Sequence, residues 1–212
     1  MPTKRGNDAK DYEPADIGHE YFRALYRVVT AVNSSLRLQK VLNLVVEKVA
    51  EAMEVKACSL RLLDHSTDVL TINAMYGLSQ QYMKKGPVQL KKSHLDQEIL
   101  QGQAVYIRNA AADPRFQYPE EARTEGIVSV FCVPLVSRGQ AIGVLRVYSD
   151  TEREFDSFDE EFLRTLASVS ALAIENARLY EALKQDYDAT LGALWGEEPI
   201  SFIGEREHQY SD

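Results

Sequence analysis

The chain has 212 residues, with 24 Lys and Arg against 32 Asp and Glu, a net charge of -8 and 45% hydrophobic residues. This size predicts a globular domain whose core needs neither disulfides nor a metal. The acidic balance argues against broad binding to nucleic acid or anionic membranes, and no apolar run is long enough to span a bilayer. Two isolated cysteines, Cys58 and Cys132, and the lack of a secretory signal predict a cytoplasmic location.

Two amphipathic helices are predicted at the N-terminal end, after a polar arm at residues 1–16 that is expected to be disordered. The first helix should run from about Ile17 to Ser34, and the second should follow within 38–55. Their apolar stripes predict that both helices cover one face of a sheet. The stripe residues are Phe22, Leu25, Val29, Val32 and Leu36 in the first helix, and Leu38, Val41, Leu42, Val45, Val49 and Met53 in the second.

The middle of the chain changes to a period of two residues, which is typical of strands. Two hairpins are predicted, one early and one late, with a turn-rich connection between them that holds a single strand and two short helices. The predicted strands are 57–64, 69–77, 104–109, 127–136 and 141–149. One short helix is predicted at 93–102, with Ser93 as N-cap, and the other directly after Pro119.

A long exit helix is predicted to start at a capping box of Ser157 and Glu160. Its apolar residues follow a heptad seam, of which the far half, 182–195, should extend beyond the sheet as a coiled coil. A second copy of the chain would cover that half, with Asn176 setting the register. The tail 196–212 is expected to be flexible. The seam residues are Phe162, Leu166, Val169, Ala173, Asn176, Tyr180, Leu183, Tyr187, Leu191 and Leu194.

This order of elements, over about residues 21–181, resembles the GAF domain, a small-molecule sensing module of signalling proteins. The strongest local match is EGIVSVFCVPLVSRGQAIGVLRVYSDTEREFDSFDEEF, with Phe155, Asp159 and Glu160 on the family's Phe-x-x-x-Asp-Glu motif. The resemblance implies an α+β fold over 17–181. In that fold a central antiparallel sheet of five to six strands carries the N- and C-terminal helices on one face. Loops and short helices roof a ligand pocket on the other face.

Several ligands of the wider family fit this chain poorly. Cyclic-nucleotide-binding members carry an Asn-Lys pair where this chain has Ser149-Asp150, and an acceptor carboxylate where it has Arg146. Bilin-binding members need a Cys-His or similar thiol, and neither cysteine here is followed by His. GAF-type free-methionine-sulfoxide reductases use cysteines in a connection that corresponds to 93–126, where this chain has none.

Strand parity gives a candidate ligand site on the roofed face of the sheet. If the last strand lies between the first and the fourth, Arg61 and Arg146 fall close together, and paired guanidiniums require a carboxylate or phosphate partner. In the alternative interpretation both arginines lie on a solvated face and pair with an acidic residue of the roof. The expected ligand-binding residues are Ser59, Arg61, Tyr76, His94, Phe116, Ser129, Phe131 and Arg146.

Other chemistry-bearing side chains have a structural interpretation. Asp159 and Glu160 suit a helix start, where carboxylates meet free amides and the helix dipole. Cys58 and Cys132 are expected as small core residues on the helix-covered face. The four histidines show no metal-ligand spacing, so neither a metal site nor a catalytic residue is predicted.

The sequence thus predicts a noncatalytic regulatory module that binds a small, possibly anionic, molecule of unknown identity. It would signal through a helical homodimer to a partner protein, because no kinase, phosphodiesterase, cyclase or DNA-binding motif accompanies it. Two alternatives stay open: an enzyme on the same fold, such as a sulfoxide reductase, and a dimerisation module without a ligand.

Overall fold

The structure is a computed structural model that describes the backbone of residues 14–35 and 37–195 and the side chains of 17–35 and 37–192. The predicted tail 196–212, most of the predicted arm, Leu36 and the side chain of Leu194 lie outside the described residues. The described residues divide into two compact units, one that ends at Glu175 and one that begins at Asn176. Among the described helices, none is long and apolar enough to cross a membrane.

Six strands form one antiparallel sheet in the order β3-β2-β1-β6-β5-β4. This confirms the α+β fold and places the last strand between the first and the fifth, as expected. The short strand β3 and the helix α3 before it were not predicted from the sequence. The strands are β1 Ala57–Asp64, β2 Val69–Tyr76, β3 Val88–Gln89, β4 Val105–Ile107, β5 Ser129–Ser137 and β6 Gln140–Ser149.

Helices lie on both faces of the sheet. One face carries the long helices α1 Pro14–Ser34, α2 Leu38–Ala52 and the first part of α6 Ser157–Trp195, and the other carries α3 Gln80–Met83, α4 His94–Leu100 and α5 Pro119–Glu125. A 3₁₀ turn at Leu90–Lys92 leads into α4. Each face has its own buried apolar cluster, so the sheet separates two cores.

The core under the long helices contains most of the predicted stripe of α2 and most of the near half of the α6 seam. On α1 the predicted stripe is partly wrong, because Tyr21, Ala24 and Val28 face the core while Phe22 and Val29 are exposed. The two sets differ by one position along the helix, and tight packing of Tyr21 decides between them. Its ring stacks on Phe162 with centroids 3.9 Å apart.

The start of α6 is fixed by a polar junction in which Asp156 is exposed and Asp159 is buried. Asp156 accepts hydrogen bonds from the backbone N–H of Phe158 and Asp159, and its own N–H donates to the Asp159 carboxylate. The capping box is therefore Asp156 with Asp159, one residue before the predicted pair of Ser157 and Glu160. Asp159 also accepts hydrogen bonds from Tyr21 on α1 and from Arg153, which supports the structural interpretation of this motif.

Gly143 lets the two central strands approach their neighbours closely. It pairs with Leu62 of β1 and with Leu135 of β5, and a Cβ atom there would lie 2.1 Å from the carbonyl oxygen of Arg61. No side chain fits at that distance, so glycine is required for the β1–β6 pairing that carries Arg61.

Candidate functional site

The pairing of β1 with β6 brings two arginines together under the roof of short helices. Ser59 lies directly opposite Arg146, so Arg61, two residues further along β1, is a diagonal neighbour of Arg146 on the same face. The side chains are buried, with 0% of Arg61 and 2% of Arg146 exposed. The alternative interpretation is therefore wrong in placing the arginines on a solvated face, but the pairing with an acidic residue of the roof, which it also expected, is present for Arg146.

Arg146 has an acidic partner from the roof. Its Nη2 donates to Oδ1 of Asp96 at 2.5 Å, and the Asp96 side chain is also buried. Ser93, the predicted N-cap of α4, accepts a hydrogen bond from the Asp96 N–H and donates to its Oδ2 at 2.6 Å. The capping turn thus holds the carboxylate in place against Arg146.

Arg61 has no such partner. Its Nε, Nη1 and Nη2 atoms are buried and find no hydrogen-bond acceptor within the described part of the chain. A guanidinium stays charged in proteins and carries five donor hydrogens, so burial without an acceptor is costly. A buried, unpartnered arginine is the strongest sign of a binding site in this structure.

A third cation, Lys85, lies at the same place under the roof. Its Nζ is 3.5 Å from the ring centroid of Tyr82, 4.8 Å from that of Tyr118 and 5.9 Å from that of Phe116. Arg146 Cζ lies 5.9 Å from the same Phe116 centroid. Burial, followed by the charges of Arg61 and Arg146, lowers the pKa of Lys85 to about 6.

Tyrosine hydroxyls supply further polar groups next to the arginines. The Tyr148 hydroxyl lies 3.0 Å from that of Ser59, and the Tyr82 ring packs edge-on against Tyr148 with centroids 6.1 Å apart. Burial raises the pKa of Tyr82, whose hydroxyl has no hydrogen-bond partner among the described residues. A groove of about 510 Å³ between α3 and α5 reaches Tyr82 from the surface.

Four of the eight predicted ligand-binding residues come together here: Ser59, Arg61, Phe116 and Arg146. Tyr76 does not, because it ends β2 opposite Cys58, on the helix-covered side, and is 41% exposed. His94 begins α4 with an exposed side chain.

Ser129 and Phe131 were predicted on this face, and the placement is wrong. Cys132 pairs directly with Arg146, so Cys132 faces the roof and not the helix-covered face where it was expected, and its neighbours on β5 face the helices. Phe131 stacks on Phe155 at 5.0 Å between centroids, and the Ser129 hydroxyl donates to the carbonyl of Thr151. Because β5 is apolar on both faces, its alternation does not indicate which face meets the helices.

Sequence reasoning missed four side chains of the site: Tyr82, Lys85, Asp96 and Tyr148. Asp96 was noted only as the residue three after the N-cap Ser93, although an acidic residue at that helix position was the available signal for an arginine partner. Tyr148 shares the parity of Arg146 on β6 and could have been included. Nothing in the sequence around Tyr82 and Lys85 distinguishes them from other loop residues.

Neither cysteine is placed for thiol chemistry. Cys58 and Cys132 are free and 0% exposed. Burial raises the pKa of both thiols, that of Cys132 to about 11, which disfavours the reactive thiolate. Within the described ranges, no group of three His, Cys, Asp or Glu side chains is arranged to hold a metal ion.

Comparison with curated proteins finds relatives that are much longer than this chain. The chain is 26% identical over 170 residues to the phosphoenolpyruvate-dependent phosphotransferase system protein of Escherichia coli K12, covering 80% of this chain and 23% of that protein. It is 25% identical over 162 residues to the Nif-specific regulatory protein of Herbaspirillum seropedicae, covering 75% and 30%. The chain thus spans less than a third of the length of these relatives.

Solved structures give the same fold. The GAF domain of an Acinetobacter phosphoenolpyruvate-protein phosphotransferase is 28% identical with a TM-score of 0.65, over 76% of this chain and 97% of that one. The free methionine-R-sulfoxide reductase of Neisseria meningitidis shares the fold with a TM-score of 0.66 at 21% identity, over 81% and 98%. The profile of the GAF domain matches residues 35–175, two thirds of the chain, and the chain therefore belongs to the GAF domain family.

Proposed function

We propose that this chain is a noncatalytic sensor module that binds a small anion between Arg61 and Arg146, beneath the roof formed by α3, α4 and α5. The observation that carries the proposal is the buried Arg61 guanidinium, which has no acceptor among the described residues. A bound anion would supply that acceptor. GAF relatives in sensing and regulatory proteins support the same class of role.

The chemistry of the site favours a carboxylate or a phosphoryl group. The planar guanidinium of Arg61 matches two oxygens of such a group, and paired charge-assisted hydrogen bonds are about twice as strong as neutral ones. The hydroxyls of Ser59 and Tyr148 lie next to it and can contact further oxygens of the ligand. The aromatic rings of Tyr82 and Phe116 give the ligand apolar walls.

The output is proposed to pass through a homodimer and a partner protein. In the part of α6 that follows Asn176, four large apolar side chains, Leu179, Tyr180, Leu183 and Tyr187, are each more than half exposed. Tyr180, Leu183 and Tyr187 follow one another at spacings of three and four residues, which is the pattern of a coiled-coil seam, and Leu179 lies one helical turn before Leu183. A second copy of the same helix would bury them. A cytoplasmic location is consistent with two free, reduced thiols.

The test is isothermal titration of the full chain with acetate, sulfate, succinate and methyl phosphate. Binding of any of these anions by the parent, lost in Arg61→Met and kept in Arg108→Met, is the expected result. Arg108 is the matched control because it is exposed and paired with Glu152 outside the site. Unchanged affinity in Arg61→Met would contradict the proposal. Failure of the parent to bind any small anion would instead favour a dimerisation module without a ligand.

Because a sulfoxide reductase has the same fold, the alternative function to test is that of a thiol-dependent reductase. A thiol mechanism requires an accessible cysteine, whereas Cys58 and Cys132 are both fully buried. Titration of the native chain with Ellman's reagent should therefore show no rapid reaction until the chain is unfolded. Rapid modification of a thiol in the native chain would support the enzymatic alternative.

A further inference from the structure

We propose that Lys85 makes the site selective for dianions over monoanions of similar size, an inference that rests on the proposed function. The ligand class would be a dicarboxylate or a phosphomonoester. In both, a second negative charge is available for the ammonium group while the first is held by Arg61.

The charges around the site support a dianion. Three cations, Arg61, Arg146 and Lys85, converge beneath the roof, and the buried carboxylate of Asp96 neutralises one of them by pairing with Arg146. The other acidic group that faces Lys85, Glu121, lines the groove between α3 and α5, where solvent screens its charge. Arg61 and protonated Lys85 thus leave two positive charges that a single carboxylate cannot neutralise.

The position of Lys85 allows its ammonium group to leave its present contacts and pair with a bound anion. Its ammonium packs on the rings of Tyr82 and Tyr118 and forms no ion pair with any described carboxylate. A cation–π contact is weaker than a charge-assisted hydrogen bond to an anion, and the flexible lysine stem can turn from one to the other. Lys85 also directly follows the exposed Lys84, which gives a matched control.

Protonation of Lys85 should accompany binding of a dianion. Since its pKa is lowered to about 6, the amine is mostly neutral above that pH, and a nearby anion restores the proton. Affinity for the fully ionised dianion, after correction for the ligand's own ionisation, should then fall as the pH rises from 6 towards 9, whereas monoanion affinity should change little. The groups that face Lys85 are Arg61 from β1, Tyr82 from α3, Asp96 from α4, Tyr118 and Glu121 at α5, and Arg146 from β6.

The experiment compares matched pairs of anions by isothermal titration at about pH 8, where phosphomonoesters carry two charges. One pair is succinate and its monoamide, succinamate, and dicarboxylates of other lengths, from oxalate to glutarate, are tested beside it. The other pair is methyl phosphate and dimethyl phosphate. The dianion of at least one pair should bind at least about tenfold more tightly, the value of one further charge-assisted hydrogen bond. The pair that responds identifies the ligand as a dicarboxylate or a phosphomonoester.

Three variants separate Lys85 from the rest of the site. Lys85→Met should remove the preference for the dianion while leaving monoanion affinity within about threefold. Lys85→Arg should keep the preference but lose the proton uptake, which titration in Tris and HEPES buffers measures through their different ionisation enthalpies. Lys84→Met should behave like the parent. Circular dichroism of each variant checks that the fold is retained.

Two results would overturn the inference about Lys85, and only the second would also overturn the proposed anion site. If the parent binds both members of each pair equally, or if Lys85→Met keeps the preference, Lys85 does not select dianions, and the proposed anion site stands. If the parent binds none of the anions, the proposed site is overturned together with this inference.

Discussion

Arg146 on the sheet and Asp96 on α4 form an ion pair with Nη2 and Oδ1 2.5 Å apart, and neither side chain is more than 2% exposed. A buried ion pair is strong evidence of position and weak evidence of stability, because desolvation offsets much of the attraction. Removing one partner, by contrast, leaves an uncompensated buried charge. The effect of the pair should therefore be seen most clearly in single substitutions.

Asp96→Asn should lower the free energy of unfolding by about 3 kcal/mol or more, since Arg146 would keep its charge without a carboxylate. Urea denaturation measures this loss. Glu98→Gln, on the same helix, is the matched control, because the side chains of Glu98 and Arg115 are each more than one third exposed and their contact is worth less than about 1 kcal/mol. Equal effects of the two substitutions would mean that the Arg146–Asp96 pair is solvated in solution.

Arg61→Met should raise the stability of the chain, by about 1–3 kcal/mol, in buffer without added anions. The substitution replaces a buried charge that lacks an acceptor with an apolar side chain of similar length. The same variant should show no stabilisation by added anions in a thermal denaturation assay. A destabilised Arg61→Met chain would indicate that Arg61 is satisfied without a ligand.

Stability should depend on pH through Lys85. Its pKa in the folded chain is about 6, below the ordinary lysine value of 10.5, so the unfolded chain binds more protons between these values. Folding stability contributed by this group therefore rises with pH over that window. The stability difference between the parent and Lys85→Met should change in favour of the parent from pH 6 to pH 9, and the difference from Lys84→Met should not.

Tyr21→Phe should destabilise the chain by about 1.5–3 kcal/mol, the range for a hydrogen bond to a charged group. The hydroxyl of Tyr21 donates a hydrogen bond to Asp159, which also accepts one from Arg153. Loss of the hydroxyl therefore weakens the junction of α1 with the start of α6. Tyr26→Phe, on the exposed side of the same helix, should have no measurable effect. If both variants are equally stable, the Tyr21 hydrogen bond is replaced by water.

Leu183→Glu should weaken the proposed dimer, because Leu183 is 68% exposed at the centre of the apolar face in the far half of α6. Sedimentation velocity of the full chain at micromolar concentration should show a dimer for the parent and a shift towards monomer for the variant. Gln185→Glu adds the same charge at a residue outside the apolar pattern and should leave the dimer intact. A monomeric parent would rule out the dimer.

The sequence predicted most of the fold because the long elements have clear periods. The α2 stripe, the near half of α6 and both hairpins lie where the apolar pattern placed them. The errors fall where the pattern is ambiguous. The one-residue offset of the α6 cap arose because Asp156 and Ser157 are both good N-caps, and three-dimensional contacts of Asp159 with Tyr21 decide between them.

The sequence predicted most of the site residues that lie on the sheet, but it did not predict most of those that the roof contributes. Arg61 and Arg146 follow from strand parity and strand order, whereas Tyr82 and Lys85 belong to a connection whose course depends on non-local contacts. Their positions follow from burial of the second core, which includes Tyr82 and Phe116. Such non-local contacts produce no periodic pattern of apolar residues, so they cannot be recognised in a single sequence.

The antiparallel pairing of β1 with β6 also sets the order in which the site can form during folding. The hairpins β1–β2 and β5–β6 are local in sequence and can close early, but joining them requires the whole intervening chain to loop back. Arg61 and Arg146 belong to different hairpins, and the roof is the loop itself. The ligand site is therefore completed only at the slow, non-local step, and a chain synthesised as far as β5 has no arginine pair.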